Sequence, residues 1–262
     1  MSKPKVYFAQ AYGSTVPSSS VPNAITQDSS GVYLAGRFAG TSINFGGHVL
    51  IRKSNSYDTY LVKLSKDGQV QYAQNYGSNK ESKWTLSKAI TQDSSGVYLT
   101  GNFEGTSVNF GGHVLIRKSN SYDTFLVKLS KDGQVQYAQN YGSTKETEGT
   151  YPDVITQDSS GVYLTGNFEG TSVNFGGHVL NRSGSGSTDT YFVKLSKSGE
   201  VEYANSYGVA GTSTLPNAII QDSSGVYLTG YFNGTSVNFG GHTLIRKSNS
   251  ADTFLVKLSK YA

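Results

Sequence analysis

The chain has 262 residues, with 31 glycines, five prolines, no cysteine, 36% hydrophobic and 15% charged residues, and a net charge of +4. Without cysteine there are no disulfides and no thiolate chemistry, and no apolar run approaches the ~20 residues of a membrane-spanning helix. Lys and Arg are spread along the whole chain rather than gathered into the dense basic stripe that nucleic-acid binding needs, so nucleic acid is not an expected partner. The opening stretch, MSKPKVYFAQ, lacks the apolar core of a secretory leader. Secreted, cell-surface and cytoplasmic locations all stay open.

Residues 5–13 come first and read as one strand, KVYFAQAYG. A long segment is then written four times, in a register marked by Asp28, Asp93, Asp158 and Asp222 at spacings of 65, 65 and 64 residues. A fixed period of this size with strand-like content indicates an array of β modules that lean on one another. In the second copy, residues 89–92 form a short apolar strand, and Asp93-Ser94-Ser95-Gly96 is a turn. GVYLTGNF (residues 96–103) alternates with period two and predicts a strand, as does DTFLVKLS (123–130). Between them, residues 104–122 carry pieces that suggest an extra small hairpin around Gly111-Gly112. Lys131-Asp132-Gly133 is a hairpin turn, and QVQYAQNYG (134–142) is the last strand.

Four antiparallel strands per unit, repeated, describe a propeller blade. The fourth copy ends after its third strand, and residues 6–14, VYFAQAYGS, match residues 70–78, VQYAQNYGS. The missing strand therefore stands at the N-terminus. The expected architecture is an all-β, four-bladed β-propeller of about 65 residues per blade, in one domain over residues 1–262. Its blades are approximately 24–78, 89–143, 154–208 and 218–262, with strand 5–13 completing the last. If that strand instead closed a neighbour's ring, the result would be a domain-swapped homo-oligomer, so monomer and swapped oligomer both stand open.

GVYLTGNFEGTSVNFGG followed by DTFLVKLSKDGQVQYAQNYG resembles the bacterial SBBP-type β-propeller repeat. The resemblance covers all four copies. It departs from that family at Tyr137, where Trp is common, and in having four copies rather than about seven. The resemblance implies a propeller fold and no particular activity.

Strand alternation places the short turns on one face of the array. The long central segments and the divergent connections, residues 15–23, 79–88, 144–153 and 209–217, fall on the other. Long connections on a rigid scaffold are where binding groups usually sit. By contrast, residues 25–78 and 90–143 differ at five of 54 positions, so the central segments should present near-equivalent surfaces.

Each NFGGH segment carries an Asn, a Phe and a His, with an Arg four residues on. The candidate ligand-binding residues are Asn44, His48 and Arg52; Asn109, His113 and Arg117; Asn174, His178 and Arg182; and Asn238, His242 and Arg246. An amide and a guanidinium beside an aromatic ring suit a sugar. The competing reading makes Phe a core residue, Asn a turn-holder and His a turn cap. No metal is expected, because a shared site needs all four histidines within ~2 Å of one ion and these segments should lie away from the axis. Asp58, Asp123, Asp189 and Asp252 are read as caps on backbone N–H groups rather than calcium ligands. Trp84, the only Trp, and Tyr151, at a comparable place one copy on, are candidate stacking residues in the divergent connections.

No cofactor is implied, and no P-loop, HExxH or triad pattern occurs, so an enzyme is not expected. The first functional expectation is a multivalent carbohydrate-binding protein, a lectin, with glycans as partners. The alternative is an adhesion or protein-interaction scaffold that meets a cell-surface protein through its divergent loops. A third reading is an engineered or recently amplified propeller without a selected ligand.

Overall fold

The computed structural model of the protein describes residues 3–14, 18–143 and 148–260, which form 23 β-strands and no helix. The first unit comprises β1 (Ser20–Asp28), β2 (Gly31–Phe38), β3 (Ser42–Phe45), β4 (His48–Ile51), β5 (Asp58–Leu64) and β6 (Val70–Tyr76). The second runs through β7 (Thr85–Asp93), β8 (Gly96–Phe103), β9 (Ser107–Phe110), β10 (His113–Ile116), β11 (Asp123–Ser130) and β12 (Val135–Tyr141). The third has β13 (Thr150–Asp158), β14 (Gly161–Phe168), β15 (Ser172–Phe175), β16 (His178–Asn181), β17 (Asp189–Leu195) and β18 (Val201–Tyr207). The fourth has β19 (Thr214–Asp222), β20 (Gly225–Phe232), β21 (Ser236–Phe239), β22 (His242–Ile245) and β23 (Asp252–Leu258).

Each of the first three units is a four-stranded antiparallel sheet, ordered β1-β2-β5-β6 and its equivalents, with a separate two-stranded hairpin such as β3–β4 beside it. The fourth sheet has three strands, β19-β20-β23. The turns follow from their residues. Asp28 Oδ1 accepts the N–H groups of Ser30 at 2.7 Å and Gly31 at 3.1 Å, and Asp93, Asp158 and Asp222 serve the same turn. The small hairpins turn on Gly-Gly pairs with φ of +56° and +97° at Gly46 and Gly47, which other residues adopt only under strain.

The first strand of each unit is longer than the short apolar stretch expected, because it continues into the divergent connection through a β-bulge. Register shifts fall at Pro22/Ala24, Ser87/Ala89, Pro152/Val154 and Pro216/Ala218, leaving Asn23, Lys88, Asp153 and Asn217 as the extra residues. Proline has no N–H to offer a ladder, and a bulged edge strand is where it is tolerated.

Alternation in the second strand does not mean one wet face. Every residue of β8 is buried, because the sheets stack face to face. Leu61 of the first unit packs with Ile90, Val97 and Leu99 of the second. Leu126 packs with Ile155 and Val162 of the third, and Phe192 with Ile219 and Val226 of the fourth. At the two ends these positions have no neighbour. Leu255 is 71% exposed where Leu61 and Leu126 are at 0%, and Ile25 is 69% exposed where Ile90 is at 8%.

The ladder expected between residues 5–13 and β23 is not formed. Residues 3–12 carry no strand, and β23 pairs only with β20. The structure is thus an all-β, four-fold repeated array that stands open at one junction.

Candidate functional site

The small hairpins project the predicted site residues. β3 and β4 turn Ile43, Phe45 and Leu50 inward and leave Asn44, Val49 and Ile51 facing solvent. The other three hairpins repeat this pattern, with Asn181 in place of Ile in the third and Thr243 in place of Val in the fourth. His113, His178 and His242 are exposed, and His48 is half-buried. Phe45, Phe110, Phe175 and Phe239 are core residues, each packed at a tilt against rings from two directions.

Two members of the predicted set have structural work. The Asn44 side-chain oxygen accepts the Gly47 N–H at 2.7 Å, and Asn109, Asn174 and Asn238 hold Gly112, Gly177 and Gly241 in the same way. Their amide NH2 groups point outward from this bond; that of Asn238 donates to Thr243 Oγ1 at 3.1 Å. Arg52 donates to the Ser56 carbonyl at 3.0 Å and to the Ala39 carbonyl, tying the two ends of the central segment together. Arg117 reaches Ser121, Arg182 reaches Glu169, and Arg246 reaches Asn233 and Ser250. The guanidinium groups are therefore loop clamps. What each hairpin presents outward is a histidine, an asparagine amide (engaged by Thr243 in the fourth copy) and two further side chains that sequence reasoning missed. These are Val and Ile in the first two copies, Val179 and Asn181 in the third, and Thr243 and Ile245 in the fourth. Their only signal was the outward register of Val49 and Ile51 opposite Asn44 and Ser42.

Asp58, Asp123 and Asp189 act as the expected caps. Asp123 is fully buried and accepts the Lys118 N–H at 2.7 Å, the Ser119 N–H at 3.1 Å and the Asn140 side chain at 2.6 Å. Among the described residues, no three His, Asp or Glu side chains gather as a metal site would require.

Trp84 and Tyr151 do not occupy equivalent places. Trp84 precedes β7, whereas Tyr151 is the second residue of β13. They meet through Tyr122, a residue the sequence did not single out. Trp84 stacks on Tyr122 at 4.6 Å, and Tyr122 tilts against Tyr151 at 5.5 Å. Burial pushes the Tyr151 hydroxyl pKa up, reinforced by the Glu169 carboxylate. Among the described residues this aromatic row belongs to the second and third units, because Tyr57 of the first copy has Ser19 and Leu86 where Tyr122 has Trp84 and Tyr151, and Thr188 and Ala251 replace Tyr122 in later copies.

On the opposite face, junctions between units are tied by charge. Lys131 reaches back to Asp28 at 3.3 Å, Lys197 to Asp93 at 3.1 Å, and Lys260 to Asp158. Gln157 Nε2 donates to the Gln92 carbonyl at 2.7 Å, and Gln221 repeats that bond to Gln157 at 3.1 Å. Burial alone would raise the carboxyl pKa of Asp28, but bonds from Ser30 and Lys131 outweigh it and bring it down to about 2.

Asp153, the bulge residue of β13, differs from these paired carboxylates. Burial raises its pKa, and the bond from Asn167 at 2.9 Å and the charge of Lys88 do not offset that. A raised folded-state pKa means that the folded chain holds the proton more tightly, so the penalty grows as pH rises through that pKa and persists above it. Asp153→Asn is expected to raise Tm at pH 7, with the gain fading as pH falls toward ~4, the unfolded carboxyl range. Thermal unfolding of both proteins across pH 4–8 checks this; a gain that grows in acid would contradict it. The chain matches no known family model and no curated protein.

Proposed function

We propose that the protein is a multivalent carbohydrate-binding protein, a lectin, built as a four-bladed β-propeller of the SBBP type, with one weak site on each outer hairpin. The observation that carries this reading is the four-fold recurrence of one outer hairpin that presents a histidine and an asparagine amide, joined by an outward Val/Ile pair in the first two copies, Val179 and Asn181 in the third and Thr243 and Ile245 in the fourth, on hairpins whose cores are fixed by buried Phe. Four weak sites on one rigid body gain avidity on a repetitive ligand such as a glycan surface. The test is a glycan array followed by calorimetry. Binding at roughly three to four sites per chain is expected. Each single change among His48→Ala, His113→Ala, His178→Ala and His242→Ala should lower the stoichiometry while leaving the affinity of the remaining sites unchanged. A single site per chain would defeat this reading.

A second reading has its own support. Among the described residues the Trp84–Tyr122–Tyr151 row occurs once, and it suits one composite contact with a protein. Loss of all binding on Trp84→Ala, with the histidine variants intact, would favour it.

A further inference from the structure

The two open ends carry the halves of one more junction, and we propose that they join within a single chain, with residues 5–13 adding to β23 and Lys66 pairing with Asp222. This rests on the propeller reading, and its test involves no glycan, so the two fail separately.

Residues 8–13 are already seated on the first unit as a fourth strand would be. Tyr12 packs on Phe45 at 5.1 Å, as Tyr76 packs on Phe110 at 4.7 Å, Tyr141 on Phe175 at 4.8 Å and Tyr207 on Phe239 at 4.9 Å. The Gly13 carbonyl accepts the Asn44 N–H at 3.1 Å, in a bridge that Gly142 also makes to Asn174. The Phe8 ring lies over Gly68 as Tyr72 lies over Gly133 and Tyr137 over Gly199. What these residues lack is the strand on their other side.

Among the described residues, the fourth unit lacks the matching part. A groove of about 500 Å³ runs along β23 between Leu244, Leu255–Leu258 and Tyr207, where other units hold their last strand. Thr253 and Leu255 are exposed, whereas Thr59, Thr124, Thr190, Leu61 and Leu126 are buried. The charges are complementary as well. Three lysines reach back to the aspartate of the preceding unit, and by that rule Lys66 belongs to Asp222. Among the described residues neither of these two is in an ion pair.

Gly13 supplies an independent argument. At Gly77, Gly142 and Gly208 an added Cβ would lie 2.0, 2.0 and 2.1 Å from a carboxylate oxygen of Asp58, Asp123 and Asp189, so these positions must be glycine. At Gly13 nothing lies within 4 Å of that Cβ. Glycine there is needed only when Asp252 packs against it, as it does once the junction closes.

Extending the β5–β6 register, in which Val62 faces Ala73, puts Val256 opposite Ala9. The chain has no cysteine of its own, so Ala9→Cys/Val256→Cys reports on one pair. Facing residues of antiparallel strands lie at disulfide-compatible separation. Mild oxidation should give an intrachain disulfide in a monomer. Lys66→Asp or Asp222→Lys should each slow its formation roughly fivefold, with the double swap restoring it. Gly13→Val should block it while the circular dichroism spectrum stays unchanged. Free thiols in a folded monomer would overturn the proposal. So would a disulfide between chains, which would make a second copy the occupant.

Discussion

Replacing Asp123 with alanine is expected to destabilise the protein by about 4 kcal/mol, since it strands buried hydrogen-bond donors. The carboxylate has no exposure and holds two backbone N–H groups and one amide, which together fix the end of the central segment onto β11 and β12. The bonds from Ser119 and Asn140 are buried, so solvent does not readily replace the carboxylate there, and Gly142 packs directly against it. Asp123→Asn, which keeps one acceptor oxygen, should lose less. Asp252→Ala removes the same group where it is only half-buried in the open array, so its effect should be smaller; equal losses would show that the last junction is closed. Urea denaturation of the variants makes the comparison.

Phe110→Ala should cost a similar amount, about 4 kcal/mol, by leaving a cavity in a close-packed core. Its ring lies 4.7 Å from Tyr76 and 4.9 Å from Phe125, so it joins the last strand of one unit to the third strand of the next. In a stacked array, stability is a sum of unit and interface terms. The loss should therefore split unfolding at the junction of the first and second units. Hydrogen exchange that remains slow in β13–β20 while it accelerates in β1–β6 would show this. Uniform acceleration would mean that the array unfolds as one body.

The repeat was legible in full, because its period, its turns and its alternating strands are local properties of the sequence. Asp93-Ser94-Ser95-Gly96 and the Gly111-Gly112 hairpin fold as their residues demand. Less legible were features that depend on what lies across a junction. Strand β8 alternates in sequence but is buried on both faces, because a neighbouring sheet covers what a lone sheet would expose. The length of β7 was hidden by a bulge at Lys88, where a charged residue interrupts the pattern without ending the strand. At the candidate site, the competing reading of Phe as core and Asn as turn-holder describes what the hairpins do, whereas the engagement of the Arg residues with loop carbonyls was not legible. A side chain that holds a turn and one that holds a ligand are spelled alike. Tyr122 escaped notice because its importance comes from Trp84 and Tyr151, which reach it from different connections.

The lysine-to-aspartate ties have an evolutionary corollary. Each unit carries the same donor and the same acceptor, so any copy can follow any other. Unequal recombination that gained or lost a whole unit would still leave every internal seam matched. Only the curvature of the stack, and the fit of the final seam, would register the change in copy number. A gene of this kind can lengthen or shorten by entire modules without passing through an unfoldable intermediate, which is consistent with two copies that differ at only five of 54 positions.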